Sequence, residues 1–189
     1  MTLLIIRTIL WSASLGLLVV CAGTDLRKRI IPNELVILIA AIGLALSLTS
    51  HPGRVWIDLL AAFILLCGLW FLVGYNLLGG GDAKLIAAVT LLVPPDRIGL
   101  LLLAIALAGG LLSGAYLAAH RMANRSPLPR CAAAAIPCST SGFNRFLRNE
   151  RTRIATGESV PYALAVLGGV SVYLTYGLYQ CSFATSCLL

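Results

Sequence analysis

The sequence predicts an all-α polytopic membrane protein with about six transmembrane helices and its amino terminus outside. Hydrophobic residues make up 59% of the 189 residues and charged residues only 11%, whereas soluble domains are about 25% charged. Five apolar stretches approach the roughly 20 residues that a helix needs to cross a bilayer. They run roughly over residues 3–22, 34–50, 57–78, 97–119 and 160–180, and a sixth, over 83–93, is short.

The distribution of basic residues supports this orientation. With six spans, Arg7, Arg54 and Arg97 lie outside and all other basic residues lie on the cytoplasmic side. Those others are Arg27, Lys28, Arg29, Lys84, Arg121, Arg125, Arg130, Arg145, Arg148, Arg151 and Arg153. Such a bias is the positive-inside pattern, so the net charge of +7 reports orientation rather than nucleic-acid binding. It also requires 83–93 to cross, because otherwise the arginine-rich loop 120–159 would lie outside.

Residues 1–189 are expected to form one membrane-embedded domain, with 120–159 as a basic cytoplasmic loop within it. Phe143, Phe146, Leu147 and Ile154 fall near one helical face of that loop. The loop therefore either contains a short amphipathic helix on anionic lipid headgroups or is solvated, with arginines that only set topology. A cleaved signal peptide is disfavoured, because cleavage near residue 23 would leave the basic cluster at 27–29 translocated.

The cysteines give no sign of a metal site. Cys21 and Cys67 lie in apolar spans, where a free cysteine behaves as a small hydrophobic residue. Cys181 and Cys187 would lie at the outer end of the last span, where an oxidising compartment allows them to pair. We expect neither a metal nor another cofactor.

Two aspartates stand at the edges of apolar helices. Asp25 opens the segment Asp-Leu-Arg-Lys-Arg-Ile-Ile-Pro-Asn, and Asp82 follows three glycines in Gly-Gly-Gly-Asp-Ala-Lys-Leu. Charge at bilayer depth costs roughly 2.5–3.5 kcal/mol on insertion scales, and the topology places both residues at cytoplasmic ends of spans. Neighbouring carboxylates share a proton, so one can accept a proton from water while the other polarises a peptide carbonyl. The helix dipoles favour Asp82 as the base and Asp25 as the acid.

The residues around each aspartate suggest how a peptide substrate would fit. Gly79, Gly80 and Gly81 remove side chains, so that the backbone can bend and an extended strand can approach. Pro32 sits where the second helix begins, with Asn33 and Glu34 in its first turn. Alternatively, Asp82 is simply the N-cap of the fourth span, Asp25 is a solvated charge and the glycines form a flexible loop.

These two motifs, in this order, closely resemble those of the type IV prepilin peptidases, which are GxGD intramembrane aspartic proteases. The resemblance is strongest to the short branch that serves Flp or Tad-type pili. In that family an aspartate precedes Ile-Pro-Asn, here residues 31–33, and a second closes a Gly-x-Gly-Asp followed by x-Lys-Leu, here residues 83–85. Residues 160–163, Val-Pro-Tyr-Ala, also resemble the Pro-Phe/Tyr segment that opens the family's last span.

The resemblance implies an endopeptidase that removes the short basic leader from prepilins or pseudopilins at the cytoplasmic face of the bacterial inner membrane. Asp25 and Asp82 would be the catalytic pair, and no metal or cofactor is implied. Pilins or pseudopilins, membrane lipids and a pilus or secretion machine are the implied partners. Because nothing before Asp25 resembles the cysteine-containing segment of the bifunctional members, which also methylate the new amino terminus, we expect peptidase activity alone.

Three further hypotheses stay open at this point. Glu34 either helps to receive the basic leader or is an ordinary first-turn glutamate. A small transporter or channel in which both aspartates bind a proton or cation is the main rival function, and it predicts carboxylates near mid-membrane. An assembly protein with degenerate chemistry is the third.

Overall fold

The computed structural model describes residues 2–50, 52–125 and 161–186, and these ranges contain helices and turns but no strand. Its six α-helices are α1 Thr2–Lys28, α2 Asn33–Ser50, α3 Val55–Gly74, α4 Gly80–Thr90, α5 Ile98–Arg125 and α6 Tyr162–Ser186. Short 3₁₀ turns, Pro52–Arg54 and Pro95–Arg97, precede α3 and α5. The predicted all-α fold class is confirmed.

Among the described residues, four helical segments are long and apolar enough to cross a membrane: Ile5–Lys28, Asn33–Ser50, Pro52–Gly74 and Pro95–Arg121. Tyr162–Tyr176 forms a shorter apolar stretch of α6. Many large apolar side chains on these helices are exposed, as expected for surfaces whose solvent is lipid rather than water. The chain is therefore a multi-pass membrane protein. The side on which its amino terminus lies stays a prediction.

The short helix α4 lies at the centre of the packing. It contacts α2, α3 and α6, while α1 contacts α2 and α6. Every residue of α4 from Leu85 to Thr90 is buried. The buried core around it includes Leu18 and Cys21 of α1, Ile39 of α2, and Val166 of α6.

α4 is too short to cross a bilayer alone. Its 11 residues give a length of about 16 Å at 1.5 Å per residue, against a hydrocarbon thickness of roughly 30 Å. The sequence-based interpretation placed this span at residues 83–93, after a glycine segment whose backbone can bend. In the structure Gly80 and Gly81 already belong to the helix, and non-helical chain precedes it at 75–79 and follows it at 91–94.

Two glycines fix how closely helices approach in this core. A Cβ on Gly43 of α2 would lie 2.7 Å from the Cβ of Leu91, and a Cβ on Gly169 of α6 would lie 2.6 Å from the Cα of Ile105. Both separations are far below van der Waals contact. The end of α4 and the middle of α6 are therefore held at positions that only a residue without a side chain allows.

The chain divides into two compact units, residues 1–109 with 161–189, and residues 110–160. The first contains α1 to α4, the first part of α5 and α6. Of the second, the structure describes only 110–125, the remaining helical part of α5. That the whole chain forms one domain stays a prediction. The part of the basic loop beyond Arg125, its amphipathic segment and Cys187 lie outside the described residues.

Candidate active site

Asp25 lies in the last turn of α1, whereas the sequence predicted that the helix would end there. Arg29 adopts a left-handed backbone conformation with φ 55°, and its N–H donates to the backbone carbonyl of Asp25 at 2.9 Å. This is the αL motif that terminates many helices, and it ends α1 at Lys28. The Asp25 side chain is only 7% exposed, which excludes the alternative of a solvated turn residue.

The carboxylate of Asp25 is bonded to the start of the last helix. The backbone N–H of Ala163, the second residue of α6, donates to Oδ2 of Asp25 at 3.0 Å across 138 positions of sequence. An N–H in the first helical turn is otherwise an orphan donor at the positive end of the helix dipole. The hydrogen bond therefore holds one carboxylate oxygen of Asp25 at the start of α6. For Asp25, the dipole argument from sequence used only the carboxyl end of α1 and did not include this contact with α6.

The position of Asp82 depends on how α3 ends, because only a short connection separates α3 from the helix that contains Asp82. Asn76 adopts φ 57°, its N–H donates to the carbonyl of Val73 at 2.9 Å, and the Leu77 N–H donates to the carbonyl of Leu72 at 3.1 Å. This paired arrangement is a Schellman motif. The chain then reaches Gly79, the N-cap of α4. Asp82 is thus the third residue of the helix, and the alternative reading that it is the N-cap is wrong.

Two of the three glycines make room for specific side chains. A Cβ on Gly79 would lie 2.7 Å from Oδ2 of Asp82, and one on Gly81 would lie 3.4 Å from the Cβ of Ile31. A Cβ on Gly80 would meet only Val73, at 4.0 Å. Gly79 has an ordinary extended backbone, with φ −71° and ψ 140°. Its role here is therefore to leave space beside the carboxylate rather than to supply unusual backbone freedom.

The two sequence motifs meet in space. Nζ of Lys84 donates to Oδ1 of Asn33 at 3.3 Å, and Gly81 packs on Ile31. Asp25 and Asp82 are close enough for their charges to act on each other. Both aspartates therefore lie at one end of the helices. Around them, Pro32 is half-buried before α2, while Asn33 and Glu34 are exposed in its first turn.

Two neighbours of the aspartates were not among the predicted site residues. Tyr162, half-buried at the start of α6, lies within electrostatic range of Asp82. Cys21 is buried one turn before Asp25 and lies within range of its charge. The Pro-Tyr-Ala resemblance at 161–163 marked Tyr162 only as the opening of a span, and Cys21 gave no signal beyond its place in an apolar helix. Nothing in the sequence indicated that Tyr162, which is distant in the chain, would lie near Asp82.

The described residues include no group of three or more His, Cys, Asp or Glu side chains placed to hold a metal ion.

The fold and this site define a polytopic all-α membrane protein with two interacting aspartates at one end of its helices. A sequence model of the type IV leader peptidase family matches residues 12–114, which is more than half of the 189 residues. The chain belongs to the type IV leader peptidase family. Membership indicates a peptidase, and a type IV leader peptidase would act on prepilin substrates.

The matched region contains both aspartate motifs and ends well before Tyr162 and Ala163. No curated protein and no solved structure matches the chain.

Proposed function

We propose that the chain is an intramembrane aspartic endopeptidase that removes the short basic leader from Flp-type prepilins or pseudopilins at the cytoplasmic face of the bacterial inner membrane. The observation that carries the proposal is the meeting of Asp25 and Asp82. These side chains come from different helices and interact where α1 ends and α4 begins. Peptide hydrolysis by aspartic proteases requires a pair of neighbouring carboxyl groups that shares one proton.

The contacts of the two aspartates suggest a division of labour. Asp25 accepts the N–H of Ala163, so we assign it the negative charge and the role of base. Asp82 then carries the shared proton and polarises the substrate carbonyl. As water adds to the carbonyl carbon, Asp25 takes its proton. When the C–N bond breaks, that proton passes to the departing amine. This assignment reverses the one that the helix dipoles alone favoured.

The approach to the pair suits an extended peptide. Gly79 is exposed and Gly80 and Gly81 are half-buried, so this stretch beside Asp82 presents backbone without side chains. An extended segment can hydrogen-bond to such backbone, and the substrate must be extended because a helical peptide bond is already paired. Glu34 is exposed beside Asn33, in a position to attract the basic leader.

Proton or cation transport is less well supported by the same geometry. Asp25 is in the last turn of α1 and Asp82 is in the first turn of α4, so the pair lies at helix ends rather than midway along them. A transport site near mid-membrane would need carboxylates in helix interiors or at breaks within helices.

The decisive experiment expresses the full chain with a candidate Flp-type prepilin and follows leader removal by the shift in prepilin mass. Asp25→Asn and Asp82→Asn should each abolish cleavage while membrane insertion is unchanged. Asp96→Asn is the matched control, because Asp96 is exposed beyond the far end of α4, and it should cleave normally. Normal cleavage by either site variant would refute shared-carboxylate catalysis. A prepilin from outside the Flp branch, cleaved equally well, would refute the narrower substrate assignment.

A labelling experiment tests the cytoplasmic position. In a cysteine-free background, a cysteine at Asn76, exposed between α3 and α4, should react with a membrane-impermeant maleimide only after the cells are opened. A cysteine at Gly53, exposed at the other end of α3, should react in intact spheroplasts. The opposite pattern would place the aspartates outside.

A further inference from the structure

A second polar site lies at the other end of the helices. A cavity of about 740 Å³ is lined by Arg7 of α1, Arg54 just before α3 and Arg97 just before α5. Arg7 precedes Asp25 by about five helical turns, or roughly 27 Å along α1. Since α1 is long enough to cross a bilayer, this cavity and the aspartates lie near opposite membrane faces. The proposed peptidase chemistry makes no use of it.

The cavity exists because α4 stops early. The helix ends against Gly43 of α2, at Leu91. The cavity begins at Leu91 and continues along Leu46, Ser47 and Ser50, which lie one to two turns beyond Gly43. It therefore occupies the space that α4 would fill if it continued through the membrane. Leu92, Val93 and Leu174 give it further apolar lining.

The rim of the cavity is basic. Its lining contains three arginines, Arg7, Arg54 and Arg97, and two acidic residues, Asp58 and Asp96, which leaves an excess of one positive charge. All three arginines lie at or near the amino-terminal ends of helices, where the helix dipoles add positive potential.

One of the aspartates and one of the arginines already have partners within the rim. Asp58 accepts a hydrogen bond from the hydroxyl of Ser47, and the side chain of Arg97 is hydrogen-bonded to Tyr173. Arg7 and Arg54 are exposed at the mouth. Together they offer planar donors of the kind that bind phosphate oxygens in pairs.

We propose that this cavity binds one anionic phospholipid, with the headgroup phosphate on Arg7 and Arg54 and an acyl chain over the leucines beyond the end of α4. A soluble phosphate would satisfy only the arginines and would leave the apolar lining wet. A lipid satisfies both parts. Trp11 and Tyr173, which also line the cavity, are amphipathic aromatic residues of the kind found at membrane–water interfaces. The single excess positive charge matches the single negative charge of a phosphatidylglycerol headgroup.

The test uses the purified, delipidated full-length protein in a neutral detergent. Phosphatidylglycerol, phosphatidylcholine, glycerol 3-phosphate and inorganic phosphate are added separately. Binding is read by native mass spectrometry and by the shift of the thermal unfolding midpoint. We expect phosphatidylglycerol to bind at least about tenfold more tightly than phosphatidylcholine. Equal stabilisation by either soluble phosphate would assign the site to a soluble anion and overturn the lipid proposal.

Charge-neutral variants locate the site. Arg7→Gln and Arg54→Gln should each weaken phosphatidylglycerol binding about tenfold, equivalent to about 1.4 kcal/mol, whereas Arg54→Lys, which keeps the charge but loses the paired donors, should weaken it less. Arg121→Gln is the control, because Arg121 is exposed and is not part of the cavity. Circular dichroism verifies that each variant is folded. Unchanged binding in folded Arg7→Gln and Arg54→Gln, or an equal loss in Arg121→Gln, would overturn the proposal.

Discussion

Nζ of Lys84 donates a hydrogen bond to Oδ1 of Asn33 at 3.3 Å and thereby links the first turn of α4 to the first turn of α2. The link joins the two aspartate motifs at a point outside the carboxylates themselves. Asp82 lies two positions before Lys84 in the same helical turn, so the bond fastens the turn of α4 that carries Asp82 to the start of α2. It gives a physical reason for the presence of Lys84 after Asp82 in one motif and of Asn33 after Pro32 in the other: the two side chains bond to each other.

Breaking this bond should slow leader cleavage without unfolding the protein. Lys84→Met and Asn33→Ala should each lower kcat/KM about tenfold. A hydrogen bond to a charged group contributes about 1.5–3 kcal/mol, and because this bond is exposed to solvent we expect a loss at the low end of that range. The double variant should lose no more than either single variant, since both remove one interaction. Multiplicative losses in the double variant would show that the two residues act separately.

Gly79→Ala should impair catalysis through crowding of Asp82. The new methyl group would lie 2.7 Å from Oδ2 of Asp82, so the carboxyl must rotate away from its present position. We expect kcat to fall about tenfold while the thermal midpoint changes little. Gly74→Ala is the matched control, because Gly74 is the last residue of α3, outside the glycine stretch, and its Cβ would meet nothing within 4 Å. Alanine also favours a helix by about 0.5–1 kcal/mol over glycine, so this control should be at least as stable as the parent protein. An equal fall in kcat for both variants would contradict the crowding argument.

Removing the N–H of residue 163 should weaken Asp25 as the base. Ala163→Pro deletes the donor, and proline is tolerated in the first turn of a helix. Loss of a hydrogen bond to a buried carboxylate costs about 1–3 kcal/mol, so cleavage should slow roughly tenfold to a hundredfold. Ala163→Val adds comparable bulk at this fully buried position but keeps the N–H. If the valine variant is as slow as the proline variant, crowding rather than the hydrogen bond explains the loss.

The Glu34→Gln variant tests whether the Glu34 carboxylate helps to bind the basic leader peptide. Glu34 is exposed, and loss of its charge should raise KM for a prepilin with a basic leader by a fewfold while kcat stays constant. The effect should shrink as salt is added, because screening weakens exposed charge interactions. Asp96→Asn, at the other end of α4, should change neither parameter. An unaltered KM for Glu34→Gln would leave Glu34 as an ordinary first-turn glutamate.

Gly43→Ala should destabilise the helix packing itself. Its methyl group would lie 2.7 Å from the Cβ and 2.9 Å from the carbonyl carbon of Leu91, and backbone cannot move aside cheaply. Overpacking of this kind costs about 1–3 kcal/mol and should lower the thermal midpoint in detergent by several degrees. Gly68→Ala, with nothing within 4 Å, should not lower it. A variant at Gly43 with an unchanged midpoint would show that α4 can shift freely along α2.

The sequence predicted the helices well, because membrane spans are long, apolar and bounded by charged or turn-forming residues. The order of the spans also predicted that Asp25 and Asp82 lie at the same end of the helices, because it determines which helix ends lie at the same membrane face. Its errors were local. Asp25 was expected to lie where the first helix ends, yet basic residues are favourable in a last helical turn and α1 continues to Lys28.

The contributions of α6 and the outer cavity could not be derived from patterns. The hydrogen bond from Ala163 comes from a backbone N–H, which every residue except proline has, so no residue type marks it. The cavity results from the stopping point of α4 against Gly43, and a glycine inside an apolar helix indicates close packing without naming its partner. The sequence analysis grouped Arg7, Arg54 and Arg97 only because all three were predicted to lie on the outer side of the membrane. That they line one cavity could be seen only in the structure.

The bond between Asp25 and Ala163 has a consequence for biogenesis. Asp25 is translated early and Ala163 only after α1 to α5 have been made, so the carboxylate lacks its donor until α6 emerges from the ribosome and is inserted. A nascent chain paused in the translocon before that point would hold both aspartates but not the geometry described for the mature protein. The geometry of the aspartate pair would then be complete only when α6 docks against α1.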